Sequence, residues 1–374
     1  LDEAIVAYHR ALVDDPGHVL SHCGLGVALV ERGEAEAGIS SYLRALETDP
    51  WHADTRFNYS LALLLLGEFE KGWSEYEWRF KQKKYRDEVL RFASPAWDGS
   101  SLEGKSILLR GEQGIGDTIQ FVRYAKTIAD AGGRVIIECQ PSMKRLLENI
   151  SEVDSVIGRG EDIPPCDAHV SLMSLPHVLG TTLETIPDEV PYLSAPEGQT
   201  SPGEGDGEGK GIKVGLVWAG NPDHENDRKR SIPLEKFASV LETGGVRFYG
   251  LQVGERKEDI ERCGFQGRIT DLSGELTDFA DTAAAIAHLD LIISVDTAPA
   301  HLAWAMGRPV WTLLPFAPDW RWMLGREDSP WYPTMRLLRQ GSAGDWAGFS
   351  IGSKKNYRSG PLVEMRDLGR ITWG

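Results

Sequence analysis

The chain runs to 374 residues, which predicts two or three domains at roughly 100–200 residues each, and its 41% hydrophobic content is enough to bury sizeable cores. Acidic residues outnumber basic ones, 56 against 40, and the net charge of -16 argues against general affinity for a phosphate backbone, so nucleic acid is not an expected partner. The four cysteines (Cys23, Cys139, Cys166 and Cys263) form no C-x-x-C pair, and no apolar run approaches the ~18 residues of a membrane span; neither a zinc or disulfide framework nor a transmembrane segment is expected, and the location is expected to be cytoplasmic.

The first elements are helical and repeat. Ala11-Leu12 and Asp15-Pro16 recur 34 residues on as Ala45-Leu46 and Asp49-Pro50. The same offset links Ile5 to Ile39, Tyr8 to Tyr42 to Tyr76, Leu29 to Leu63, and Gly33 to Gly67. A period of ~34 residues is that of a tetratricopeptide helix–turn–helix unit. Gly33 and Gly67 would occupy the turns between paired helices, Pro16 and Pro50 would end each unit, and Tyr42 and Ala45 would share one helical face. Such units need about three in a row, or a docked neighbour, to bury their apolar faces. About two and a half are present. The pattern therefore predicts either further repeats before Leu1 or packing of the last helix, around Trp73–Trp78, on the following domain.

From Lys105 the pattern changes to strands alternating with helices, which implies parallel sheets. Ser106–Arg110 reads as a buried strand, followed by a Gly-rich turn, a helix from about Asp117 to Ala131, a strand at Arg134–Glu138 and a helix near Ser142–Asn149. A Gly- and acid-rich linker is expected at 196–211. Beyond it strands are expected at Lys213–Trp218, Arg247–Leu251, Leu291–Val295 and Pro309–Leu314, with a helix from about Pro299. The division predicted is 1–83 helical repeats, 94–195 a first Rossmann-like half facing the acceptor, 212–340 a second half facing the donor, and 341–374 an irregular tail. Two doubly wound halves make a cleft, and open α/β sheets bind ligands at the carboxyl ends of their strands.

Three loops lie at such ends. Gly114-Ile115-Gly116-Asp117 opens a helix after the first strand, where glycines admit a close ligand and free N–H groups favour an anion; Asp117 could equally be only an N-cap. Asp296-Thr297-Ala298-Pro299-Ala300-His301 follows another strand and suits a pyrophosphate, with capping and a core histidine as the plain alternative. Asn221-Pro222 leads to Arg228-Lys229-Arg230, three cations that suit a phosphate or simply form a solvated face. A fourth segment, Pro315–Trp322 with Trp331-Tyr332 beyond it, is aromatic-rich and reads as packing.

Taken in order, Leu109–Asp117, Gly215–Pro222 and Asp296–His301 make residues 105–340 resemble the heptosyltransferase-type glycosyltransferases of family 9, in the variant that follows tetratricopeptide repeats. The resemblance implies a GT-B fold, α/β with two Rossmann-type halves and the donor mainly on the second. It implies that Asp117 takes the proton of an acceptor hydroxyl. It implies further that Asp296, Thr297 and His301 contact the donor, with Ala298 where the family motif has Gly, and that Lys229 and Arg230 lie near the donor phosphates. Gly114, Gly116 and Asn221 complete the expected donor-binding set.

The function expected is inverting transfer of a sugar from a nucleotide-sugar donor to an acceptor hydroxyl on a glycan, a lipid-linked carrier or a protein. No cofactor is expected, and no metal, because the chain has no D-x-D pair and cations can serve instead. The repeats would hold a protein partner or the acceptor. The rival readings are a protein-interaction module with a vestigial sugar-nucleotide site, and a nicotinamide dehydrogenase, which would call for a G-x-G-x-x-G that is missing.

Overall fold

Five helices form the front of the chain: α1 (Asp2–Asp14), α2 (Val19–Glu31), α3 (Ala35–Thr48), α4 (Ala53–Leu65) and α5 (Phe69–Tyr76). The computed structural model describes residues 1–83, 94–199 and 211–346; most of the expected linker and most of the tail lie outside them. The 34-residue offset reaches down to the caps. His18 Nδ1 accepts the Ser21 amide at 3.3 Å and starts α2, and His52 Nδ1 accepts the Thr55 amide at 3.2 Å and starts α4. Gly33 (φ 88°) and Gly67 (φ 84°) turn each pair in the left-handed region, which glycine enters without strain. Tyr42 and Ala45 are buried on one face of α3, as their spacing requires.

By its contacts the chain divides into two units, and the helical one also takes in Ser174–Ile186 and Ala317–Arg326. Trp73 of α5 meets Trp320 edge-on, with ring centroids 5.2 Å apart, and the buried Arg79 guanidinium donates to Ser174 Oγ at 2.7 Å. The last helix is thus covered by chain from far downstream. The aromatic run is packing here: Trp320 and Trp322 are buried within the helical unit.

The second unit holds two parallel sheets. The first runs β3 (Ser155–Gly158), β2 (Arg134–Cys139), β1 (Ser106–Arg110), β4 (Ala168–Ser171). The second runs β10 (Arg336–Arg339), β9 (Val310–Leu314), β8 (Leu291–Val295), β5 (Ile212–Val217), β6 (Val246–Gly250), β7 (Ile269–Asp271). Counted from β5, this is the doubly wound order whose chain reverses direction across the sheet between β5 and β8. In the first sheet the matching reversal lies between β1 and β4.

Strands β1, β8 and β9 are buried along their whole length, as a parallel sheet covered on both faces demands. Val214, Leu216, Leu291, Ile293, Val295 and Leu313 line one core face with Trp218 and Trp311. Three acids hold the entry to the strands. Asp154, just before β3, accepts the Val135 amide of β2 at 2.7 Å; Asp167, before β4, accepts the Ser106 amide of β1 at 2.8 Å; Asp290, before β8, accepts the Lys213 amide of β5 at 2.8 Å. Each carboxylate fixes the register of its own strand against the neighbour. The Asp167 carboxyl is held below its usual range by the Ser106 amide and hydroxyl.

Two helices differ from expectation. The segment after β1 is broken into α6 (Ile115–Phe121) and α7 (Tyr124–Asp130), with Arg123 at the break. Its guanidinium donates to the Gln120 carbonyl at 2.7 Å and so closes the carbonyl end of α6. The segment expected as a helix near Ser142–Asn149 is a 3-10 turn at Pro141–Met143 and a single α turn at Lys144–Leu147. The remaining helices that matter for the site are α8 (Asp227–Arg230), α9 (Phe279–Ala287) and α10 (Ala298–Ala305).

Candidate active site

The loops after β1, β5 and β8 all leave strands beside the two reversal points, and the structure joins them by named contacts. The corner after β1 begins at Gly111, whose amide donates to the Glu138 carbonyl at 2.6 Å. Arg159 Nη2 donates to the Gly111 carbonyl at 2.5 Å, and Gln140 Nε2 donates to the Gln113 carbonyl at 3.2 Å. Gln113 itself is left-handed (φ 57°), a conformation that side chains other than glycine adopt only when surrounded by such support. Arg110, Glu112 and Glu138 are all buried, with Arg110 Nε 3.8 Å from Glu138 Oε2.

Helix α6 starts two residues earlier than the sequence suggests. Gly114 is its N-cap, and Asp117 is the third helical residue, not the cap. The Asp117 carboxylate still satisfies the helix end: Oδ2 accepts the Gly114 amide at 2.9 Å. Asp117 is half-buried, and Gly114 is exposed.

The corner after β8 is more enclosed. Asp296 and His301 are buried, and His301 Nε2 lies 3.8 Å from Asp296 Oδ1. Thr297 is the N-cap of α10, with extended backbone, and its hydroxyl lies 3.0 Å from that of Ser294 and 3.3 Å from the Val295 carbonyl. Its side chain makes no capping hydrogen bond to α10.

These two corners meet. A Cβ built on Gly116 would lie 3.1 Å from the His301 ring, so a side chain there would have to push the imidazole by a few tenths of an ångström.

The corner after β5 joins them through Arg230. Its Nη1 donates to the Asp296 carbonyl at 3.0 Å, and its Nε lies 3.6 Å from Asp227 Oδ1. Asp227 is buried and also accepts the Ser231 hydroxyl at 2.8 Å, while Ser231 Oγ accepts the Gly220 amide at 3.0 Å. Gly220 makes room for this network: a Cβ there would fall 2.5 Å from Asp227 Oδ1 and 2.6 Å from Arg230 Nη2. Upstream, the Trp218 and Ala219 amides both donate to Gln252 Oε1, at 3.2 and 2.9 Å. Asn221 and Lys229 are exposed; Asn221 Oδ1 accepts the Asp223 amide at 3.1 Å, a turn contact.

Of the residues expected from sequence, Gly116, Asp296, His301 and Arg230 are therefore brought into one contact network. Asp117 sits at its edge, and Thr297 and Ala298 open the helix that carries His301. Residues 210–322, which carry the β5 and β8 corners, match the profile of glycosyltransferase family 9 (heptosyltransferase). The chain is also 28% identical over 300 residues to Protein FlbA of Caulobacter vibrioides, a match that takes in 72% of this chain. It spans about half the length of that relative, 49%. A glycosyltransferase family 9 structure from Veillonella parvula shares the fold with a TM-score of 0.51 and 13% identity, over 65% of this chain and 89% of that one. The architecture is thus GT-B-like. Among the described residues no helix is long and apolar enough to cross a membrane.

Two further residues near these corners carry no motif in the sequence. His224 lies on the loop between Asn221 and α8, and its Nδ1 accepts the Asn226 amide at 3.1 Å. Burial and the positive charge of Arg230 hold its pKa down, against the pull of Asp296, Asp117 and Asp227. The only signal in the sequence was its distance of a few residues from Arg230. The second residue, Tyr332, comes from the aromatic segment assigned to packing, and its hydroxyl meets Nδ1 of His301.

Proposed function

We propose that the α/β unit transfers a sugar from a nucleotide-sugar donor to an acceptor hydroxyl, with inversion and without a metal ion. The observation that carries this reading is the meeting of the Asp117 helix with the His301 helix at Gly116, beside both reversal points. A base on one side and an anion-binding helix start on the other is what a single displacement needs. The acceptor oxygen attacks the anomeric carbon from the face opposite the diphosphate, and its proton passes to Asp117 as the new bond forms. The bond between that carbon and the phosphate oxygen breaks on the other side. Charge on the departing diphosphate is taken up by Arg230, Lys229 and the start of α10 at Thr297 and Ala298, with His301 beside them.

Arg230 is pre-set for this task. Its guanidinium is fixed by the Asp296 carbonyl and Asp227, so little ordering is left to be done when the donor arrives. Cations take the place of a divalent ion in this scheme, which motivates the absence of a metal. Among its described residues the helical unit offers no catalytic grouping, and it serves as the platform for a protein partner or a macromolecular acceptor, a glycan or lipid-linked chain included. On this reading the chain resides in the cytoplasm, where thiols stay reduced.

A binding module with a silent cleft has one observation in its favour: the Asp117 carboxylate already has structural work, accepting the Gly114 amide. The experiment that separates the two begins with a thermal-shift screen of nucleotide sugars, because a ligand of the native state raises its apparent stability. Turnover is then measured with the donor that emerges, with and without EDTA. Donor binding without turnover on any acceptor supports the module. Loss of turnover in EDTA, restored by magnesium, would remove the metal-free mechanism.

A further inference from the structure

Tyr332 lies outside every motif that points to the site, yet its hydroxyl meets Nδ1 of His301 and its ring stands edge-on to the imidazole with centroids 5.2 Å apart. Both residues are buried, Tyr332 completely. On the far side of the imidazole, Nε2 is 3.8 Å from Asp296 Oδ1. At that range, beyond hydrogen-bond reach, the carboxylate biases the imidazole proton toward Nε2 without fixing it there. A neutral imidazole carries one N–H, so Nδ1 is then the acceptor and the Tyr332 hydroxyl its donor.

Tyr332 is itself held fast. Its ring packs edge-on against Trp304 at 4.7 Å, and the Arg123 guanidinium stands 5.1 Å from its centroid. Arg123 is caged by Tyr192, Trp304 and Trp331 as well, and donates to the Trp331 carbonyl at 2.8 Å and the Pro187 carbonyl at 3.0 Å. A buried cation so enclosed by aromatic faces fixes the rings around it.

We propose that Tyr332 is a positioning residue of the donor site, whose hydroxyl locks His301 in the Nε2–H tautomer and so stands a fixed N–H donor between Asp296 and the start of α6. This rests on the reading of His301 as a donor contact. A neutral histidine otherwise divides its proton between two nitrogens, and a donor that is set in advance needs no rearrangement when the diphosphate arrives. The caged aromatic segment thereby does more than pack: it carries the orientation of the cage through Tyr332 to the ligand-facing edge of α10.

The test uses Tyr332→Phe in the full chain, which keeps the ring against Trp304 and Arg123 and removes only the hydroxyl. Imidazole 15N shifts report the tautomer, with the His301 signals assigned by their loss in His301→Gln. In the wild type Nε2 is expected to be protonated and Nδ1 not, and in Tyr332→Phe the proton is expected to be shared between them. Affinity for ADP and UDP, taken as probes and measured by calorimetry, is expected to fall about tenfold for the better binder. It should not fall further when Tyr332→Phe is added to His301→Gln, since effects that run through one group do not add. A wild-type His301 protonated at Nδ1, an unchanged 15N pattern in Tyr332→Phe, or an equal loss with and without His301 would each overturn the proposal. A shifted tautomer with unchanged nucleotide affinity would uphold the lock on His301 and overturn instead the assignment of His301 to the donor.

Discussion

At the corner after β1, Asp117 lies half-exposed in the first turn of α6 and its carboxylate holds the Gly114 amide; at the corner after β8, Asp296 precedes its helix and lies buried beneath His301, its carbonyl occupied by Arg230. Both are strand-to-helix turns at a reversal point, and both place an acid beside a helix start. The difference is access. A half-exposed carboxylate can reach a substrate hydroxyl, whereas one buried beside an imidazole orders its neighbours. In the proposed mechanism, reagent and scaffold are separated by burial, not by residue type.

That contrast is broken most directly by Asp117→Asn. The replacement side chain keeps an oxygen that can accept the Gly114 amide, so this variant should unfold at the same temperature and bind donor normally while turnover falls by about a hundredfold or more. Near-normal turnover, with a confirmed donor and acceptor, would return Asp117 to a helix-end role and leave the two corners functionally alike.

The next largest effect is expected on the other side of the contrast. Arg230→Ala removes a charge-assisted contact of about 1.5–3 kcal/mol, so donor dissociation constants should rise about ten- to a hundredfold. Calorimetry with the donor checks this, and an unchanged constant would take Arg230 out of the site. Gly116→Ala tests the seam between the corners. The new methyl meets the His301 ring at 3.1 Å and must push it by a few tenths of an ångström. Overpacking of this kind costs about 1–3 kcal/mol of stability, read by chemical denaturation, and kcat/KM should fall with it. A variant as stable and active as the parent would show that the seam is loose.

The smallest effect concerns pH. His224 has its folded-state pKa held below the ordinary ~6.5 of histidine by burial first and Arg230 second. The folded protein therefore binds fewer protons there than the unfolded chain, and stability is lost as pH falls through and below that range. Solvent screening limits the effect to a Tm difference of about 1–2 °C between wild type and His224→Gln at pH 5, absent at pH 8. Parallel Tm curves for the two proteins would detach His224 from Arg230.

Much of this organisation was legible before folding. The helical pairs could be read because each 34-residue unit is a local structure, and its echoes at Tyr42, Ala45, Gly33 and Gly67 record contacts within or between adjacent units. Strands β1, β2, β5, β6, β8 and β9 could be read as apolar runs. The short strands were not: β3, β4, β7 and β10 have only three or four residues each and become strands by pairing with a neighbour. The break after α6 was likewise hidden, since it depends on where the Arg123 guanidinium finds its carbonyls.

For the site, sequence alone determined which loops follow strands and which residue types they carry, because those are properties of neighbours along the chain. It named Asp117, Arg230, Asp296 and His301 on that basis. Only the tertiary structure decided that Gly116 admits His301, that Arg230 is anchored on the Asp296 carbonyl, and that the Tyr332 hydroxyl meets His301. Each of those relations joins residues from different corners of the sheets, and the charges and donors of one side chain act over a few ångströms of space whatever the number of residues between them.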